Sequence, residues 1–82
     1  MLFRSFLQLA KVYTDTKNYQ ELIGVYNELI KLEPSSPQYH FSLAIAYKEI
    51  SDFKNAKTEA LKALELSPQS KEIIEEFLKN LP

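Results

Sequence analysis

Leu9-Ala10-Lys11-Val12-Tyr13 returns as Leu43-Ala44-Ile45-Ala46-Tyr47, thirty-four residues further along the chain. Pro34 and Pro68 are separated by the same interval. In a chain of 82 residues, a spacing shared by an apolar signature and a helix-ending residue marks an internal repeat. One such unit cannot bury its own apolar face, so units must stack to make a core. Stacked helical units also leave a groove, which suits binding better than catalysis.

Outward from these two segments, apolar residues recur at three- and four-residue steps. The first helix is predicted over residues 3–14, with Phe6, Leu9, Ala10 and Tyr13 on one face. Residues 15–18 are polar and read as a turn. A second helix over 19–32 points Leu22, Ile23, Tyr26, Leu29 and Ile30 inward, and Pro34 stops it. Ser36-Pro37 opens a third helix over 37–50, with the serine oxygen as cap and proline tolerated in the first turn. Its inward residues are Tyr39, Leu43, Ala46, Tyr47 and Ile50. Ser51-Asp52 forms the next turn and cap. The fourth helix, 53–66, buries Ala56, Ala60, Ala63 and Leu64. Ser70 caps a fifth helix over 71–80, with Ile74, Phe77, Leu78 and Leu81 on one side and Glu72, Glu75, Glu76 and Lys79 on the other. Turns this short make neighbouring helices antiparallel. The expected fold is all-α: antiparallel helical hairpins stacked as a short right-handed α-solenoid of five helices.

Composition narrows the function classes. A chain of this length is one domain, burying about 60–65% of the surface its unfolded form exposes. It has no cysteine, so disulfide staples and thiol catalysis are both excluded. Ten basic and eleven acidic residues nearly cancel with no like-charged run, which argues against nucleic acid as a partner. No apolar run approaches the roughly 20 residues that cross a bilayer, so no membrane role is expected. The start, Met1-Leu2-Phe3-Arg4, lacks a basic leader and cleavage site, and a cytoplasmic location is the expectation.

Two equivalent helical hairpins and an extra amphipathic helix resemble the tetratricopeptide repeat family. The family's first-helix pattern of large residue, Leu, small residue and Tyr is met by His40, Leu43, Ala44 and Tyr47, and by Phe6, Leu9, Ala10 and Tyr13. Its second-helix pattern is met by Ala56, Ala60, Ala63 and Pro68, and less closely by Leu22, Tyr26, Leu29 and Pro34. The resemblance divides the single domain, residues 1–82, into a repeat over 3–36, a repeat over 37–70 and a capping helix over 71–82. Alanine stands at residues 10 and 44 where the family commonly has glycine. Leu22 and Leu29 stand where it prefers alanine, so the first hairpin is expected to splay wider than the second.

The resemblance implies a non-enzymatic module that binds a protein or peptide in the concave groove, with no cofactor and no metal. On the groove flank of the first helix lie Arg4, Leu7, Lys11 and Thr14, and on that of the third Gln38, Phe41, Ile45 and Lys48. Phe41 and Ile45 lie one turn apart, off the core stripe. Bulky apolar groups beside polar ones mark a contact surface unless they pack on the fifth helix or simply tolerate exposure. The family's clamp for acidic chaperone tails would use the positions of Leu7, Lys11, Ser42, Glu72 and Glu76. Only Lys11 is basic there, and two acids would repel an anionic tail.

Other conspicuous residues have plainer readings. His40, the only histidine, has no nucleophile or metal partner in the sequence and is expected to pack. Tyr13, Tyr26, Tyr39 and Tyr47 are core aromatics. Glu72, Glu75 and Glu76 are a solvated face near a helix N-terminus. Gly24, within a helix, costs up to about 1 kcal/mol there. At the other end, Met1, Leu2, Phe3, Phe6, Leu7, Leu9 and Val12 spread apolar surface around the first helix. A homo-oligomer through that helix, with Leu2 and Phe3 at its contact, is therefore also expected. The alternative to a groove binder is a structural or self-assembling piece of a longer repeat protein, or a scaffold without a natural partner.

Overall fold

The helical periods of the sequence become helices over nearly the expected bounds. The computed structural model describes residues 2–82, with side chains from Ser5 onward. It contains α1 (Leu2–Asp15), α2 (Tyr19–Leu32), α3 (Pro37–Glu49), α4 (Phe53–Leu66) and α5 (Lys71–Lys79). Among the described residues there is no strand. Packing follows chain order, α1 on α2, α2 on α3, α3 on α4 and α4 on α5, so two hairpins and a last helix stack as a solenoid. No helix is long and apolar enough to cross a membrane.

The repeat is also written in backbone hydrogen bonds. At the end of α1, Lys17 N–H donates to the Thr14 carbonyl and Asn18 N–H to the Tyr13 carbonyl. At the end of α3, Ser51 donates to Lys48 and Asp52 to Tyr47, each pair shifted by thirty-four residues. This is the Schellman pattern, which needs a left-handed residue after the helix. Lys17 (φ 59°) and Ser51 (φ 64°) fill that place without being glycine. Asp52 then caps α4, its Oδ1 accepting from Asn55 N–H at 3.4 Å and its Oδ2 from Asn55 Nδ2 at 2.7 Å.

Two expected caps form differently. The Ser36 hydroxyl donates to Gln38 Oε1 at 3.2 Å and makes no bond to the α3 amides, leaving Pro37 in the first turn to set the helix start. The Ser70 hydroxyl pairs with that of Ser67 at 3.0 Å, because residues 68–70 wind into a 3-10 turn that leads straight into α5. Helices α3 and α5 each end one residue earlier than expected.

The core has two parts joined through α3. Ala10, Leu22, Val25, Leu29 and Ala46 are buried together, with Phe6, Tyr13, Tyr26 and Tyr39 against them. Ala44, Ala60, Ala63 and Ile74 form the second part, with Phe41, Leu64, Phe77 and Leu78 around it. Leu22 and Leu29 fill the first hairpin at the repeat positions of Ala56 and Ala63, so side-chain bulk there replaces close backbone approach. Full burial of a leucine such as Leu29 is worth about 1.5–3 kcal/mol.

One buried pair breaks the apolar pattern. His40 occupies the repeat position of Phe6, and Glu59 that of Val25. His40 is 7% exposed. Its Nδ1 lies 2.8 Å from Glu59 Oε1 and its Nε2 3.2 Å from the Pro34 carbonyl oxygen. Both partners accept, so a singly protonated ring donates to one and a doubly protonated ring to both. The ring thus ties α3 to α4 and to the loop between the repeats.

Two stability measurements check this account. Gly24 is exposed within α2, and a Cβ there would meet nothing within 4 Å. Gly24→Ala should therefore raise stability by about 0.5–1 kcal/mol in urea unfolding. His40→Phe leaves Glu59 only Lys62, at 3.7 Å, and Glu59→Val leaves His40 only the Pro34 carbonyl, so each alone should cost about 1–3 kcal/mol. The double variant restores the apolar pair of the first repeat and should recover at least half of the summed loss.

Candidate interaction surface

Helix α3 is packed on both sides, so the residues left to solvent form one strip. Its core flank carries His40, Leu43, Ala44 and Ala46, all buried. On the opposite side Gln38, Ile45 and Glu49 are exposed, with Ser42 half-buried among them. These residues recur at three- and four-residue steps and so share a face. Two apolar notches open along this strip.

The first notch lies toward α1. It holds about 210 Å³ between Thr14 of α1 and Ser42, Ile45 and Glu49 of α3, with Tyr19, Leu22 and Tyr26 of α2 lining it from below. Ile45 is 41% exposed at its edge. The Thr14 hydroxyl donates to the Ala10 carbonyl at 2.7 Å, which turns its methyl group away from that bond. Leu7 and Lys11 are exposed on the same helix. The second notch lies toward α5 and holds about 180 Å³, with Pro37, Gln38, Phe41, Ala63, Ile73 and Ile74 among its walls.

Phe41 and Lys48 are placed differently from Ile45. The Phe41 ring is half-buried and meets the Phe77 ring edge-on, with centroids 5.3 Å apart. Lys48 Nζ sits 5.8 Å from the centre of the same Phe77 ring. Both residues thus hold α5 against α3, and Phe41 also lines the second notch. A helical wheel of α3 alone puts Phe41 beside Ile45; only the position of α5 separates the two. The side chains of Arg4, Leu2 and Phe3 lie outside the described residues.

Sequence reasoning passed over two residues. Val25 is buried in the first core, although Leu22, Tyr26 and Leu29 were the inward residues expected around it. Ile73 is 65% exposed, the most open of the large apolar side chains among the described residues, and joins the second notch to the outer surface of α5. Its neighbour Ile74 takes the core position, and the apolar pair Ile73-Ile74 was the available signal that one of them faces out.

Both ring nitrogens of His40 are engaged, so neither is open to a substrate. Among the described residues, no group of three or more His, Cys, Asp and Glu side chains could hold a metal ion. Tyr39 has its phenol pushed above the ordinary value by burial, then by the Glu33 carboxylate and Tyr26, which keeps it neutral beside the first core. The Tyr26 and Tyr39 rings stand 6.4 Å apart. The family model of the tetratricopeptide repeat matches residues 3–36 and again residues 37–70.

Proposed function

Because the chain belongs to the tetratricopeptide repeat family, whose repeats are generally protein–protein interaction modules, we propose that it binds a peptide or helix of a partner protein in the groove along α1 and α3. It acts by recognition, without catalysis or cofactor. The observation that carries this reading is Ile45, a large apolar side chain 41% exposed beside a notch lined with Leu22 and Tyr26. An apolar residue of the partner enters that notch. Leu7, Lys11 and Thr14 form the α1 side, Gln38 and Ile45 form the α3 ridge, and Phe41 and Lys48 form the wall toward α5. Apolar anchors seated in a pocket and ringed by polar groups supply most of the affinity of such interfaces.

A second reading is supported by the outer flank of α1. Ser5, Gln8 and Val12 hold the repeat positions of Tyr39, Ser42 and Ala46. In α3, Ala46 is buried in the core shared with α2 and Tyr39 packs against it. In α1 the same flank is not covered by any of the described helices, and Val12 is 52% exposed and Leu9 39%. A second copy of the chain would cover it.

Each reading has its own measurement. Peptides selected from a displayed random library should bind Ile45→Glu at least about tenfold more weakly than wild type, a loss of about 1.4 kcal/mol. Affinity unchanged in both Ile45→Glu and Leu7→Glu would place the binding surface elsewhere. For self-assembly, sedimentation equilibrium should show mass rising with concentration. Val12→Lys should weaken that association about tenfold, since burying half a valine side chain is worth about 1 kcal/mol and a buried lysine adds to the loss. A monomer at every concentration removes this reading.

A further inference from the structure

The thirty-four-residue register carries the groove of α3 onto α5, and there its chemistry changes. Gln38, Phe41, Ser42 and Ile45 correspond to Glu72, Glu75, Glu76 and Lys79. Glu72, Glu75, Glu76 and Lys79 form an exposed stripe of α5 with Ile73 at its edge, and Ile73 is also a wall of the apolar notch between α3 and α5. None of the three carboxylates has an ion-pair partner among the described residues. Helix-end electrostatics accounts for Glu72, the one acid in the first turn of α5, while Glu75 and Glu76 lie beyond it. It does not account for an isoleucine left 65% exposed at the edge of their stripe, beside Glu72 and Glu76.

We infer that the notch between α3 and α5 seats a bulky apolar side chain of a basic peptide segment, whose flanking Lys or Arg residues face Glu72, Glu75 and Glu76. This rests on the groove reading above and names its partner chemistry. An apolar cavity of about 150 Å³ accepts benzene, so the 180 Å³ between Phe41 and Ile73 admits a leucine or phenylalanine side chain. Complementary charge around such an anchor fixes register and rejects acidic segments.

The test uses two short labelled peptides with the same leucine–phenylalanine anchor, one flanked by lysines and one by glutamates, measured by fluorescence anisotropy. At low salt the lysine-flanked peptide should bind about tenfold tighter, the combined effect of three exposed charge contacts. The preference should vanish in Glu72→Gln/Glu75→Gln/Glu76→Gln, and near 1 M salt, where charges are screened beyond about 3 Å. Ile73→Ser, at an exposed position, should weaken both peptides without changing the helical circular dichroism. Equal affinity for the two peptides, tighter binding of the acidic one, or no binding of either overturns the inference. So does a lysine preference that survives the triple substitution. Equal affinity that Ile45→Glu abolishes would overturn it while leaving the groove reading in place.

Discussion

Helix α3 lies against α2 on one flank and against α4 and α5 on the other, and alanine makes this possible. Ala46 meets the first core, and Ala44 faces Ala60 and Ala63 in the second. A larger side chain at any of these points would push a neighbouring helix outward, and overpacking costs about 1–3 kcal/mol. With α3 fixed between two partners, its remaining strip of Gln38, Ile45 and Glu49 has nowhere to go but solvent. The groove is thus a by-product of the packing that stabilises the chain. Binding residues can vary on that strip without touching the core.

The two repeats share a backbone and differ in what fills it. The same helix-ending hydrogen bonds and left-handed turn residues recur at Lys17 and Ser51, fixing the angle at which each hairpin folds back. Inside, leucines fill the first hairpin where alanines line the second, and Phe6 and Val25 give way to His40 and Glu59. A hydrogen-bonded pair is directional, whereas apolar packing tolerates sliding. The second bond of the His40 ring, to the Pro34 carbonyl, fixes the second hairpin relative to the loop that joins it to the first. The repeats are therefore matched in geometry but not interchangeable.

The groove is not uniform along the stack. Near α1 it is apolar between Thr14 and Glu49, at α3 it is mixed, and at α5 it is acidic beside an open isoleucine. A peptide bound there as proposed would meet a different environment at each helix. The long-range field stays weak because the chain's net charge is −1, so discrimination depends on short-range contacts within a Debye length.

The sequence by itself determined the helices, their order and the repeat. Those features depend on local period and on turn residues at Asp15–Asn18, Ser51–Asp52 and the prolines, and local rules read them directly. It also marked Ile45 as exposed, because that residue lies opposite a strong core stripe. Tertiary structure decided what local rules cannot reach. Phe41 and Ile45 are equivalent on a helical wheel, and only the docking of α5 turned one into a packing residue against Phe77. His40 looked like a bulky filler until α4 brought Glu59 within 2.8 Å. Ser36 and Ser70 had the composition of caps, yet their hydroxyls found Gln38 and Ser67. In each case the partner comes from a neighbouring helix or from a side-chain rotamer, and neither is encoded in the spacing of residues along one helix.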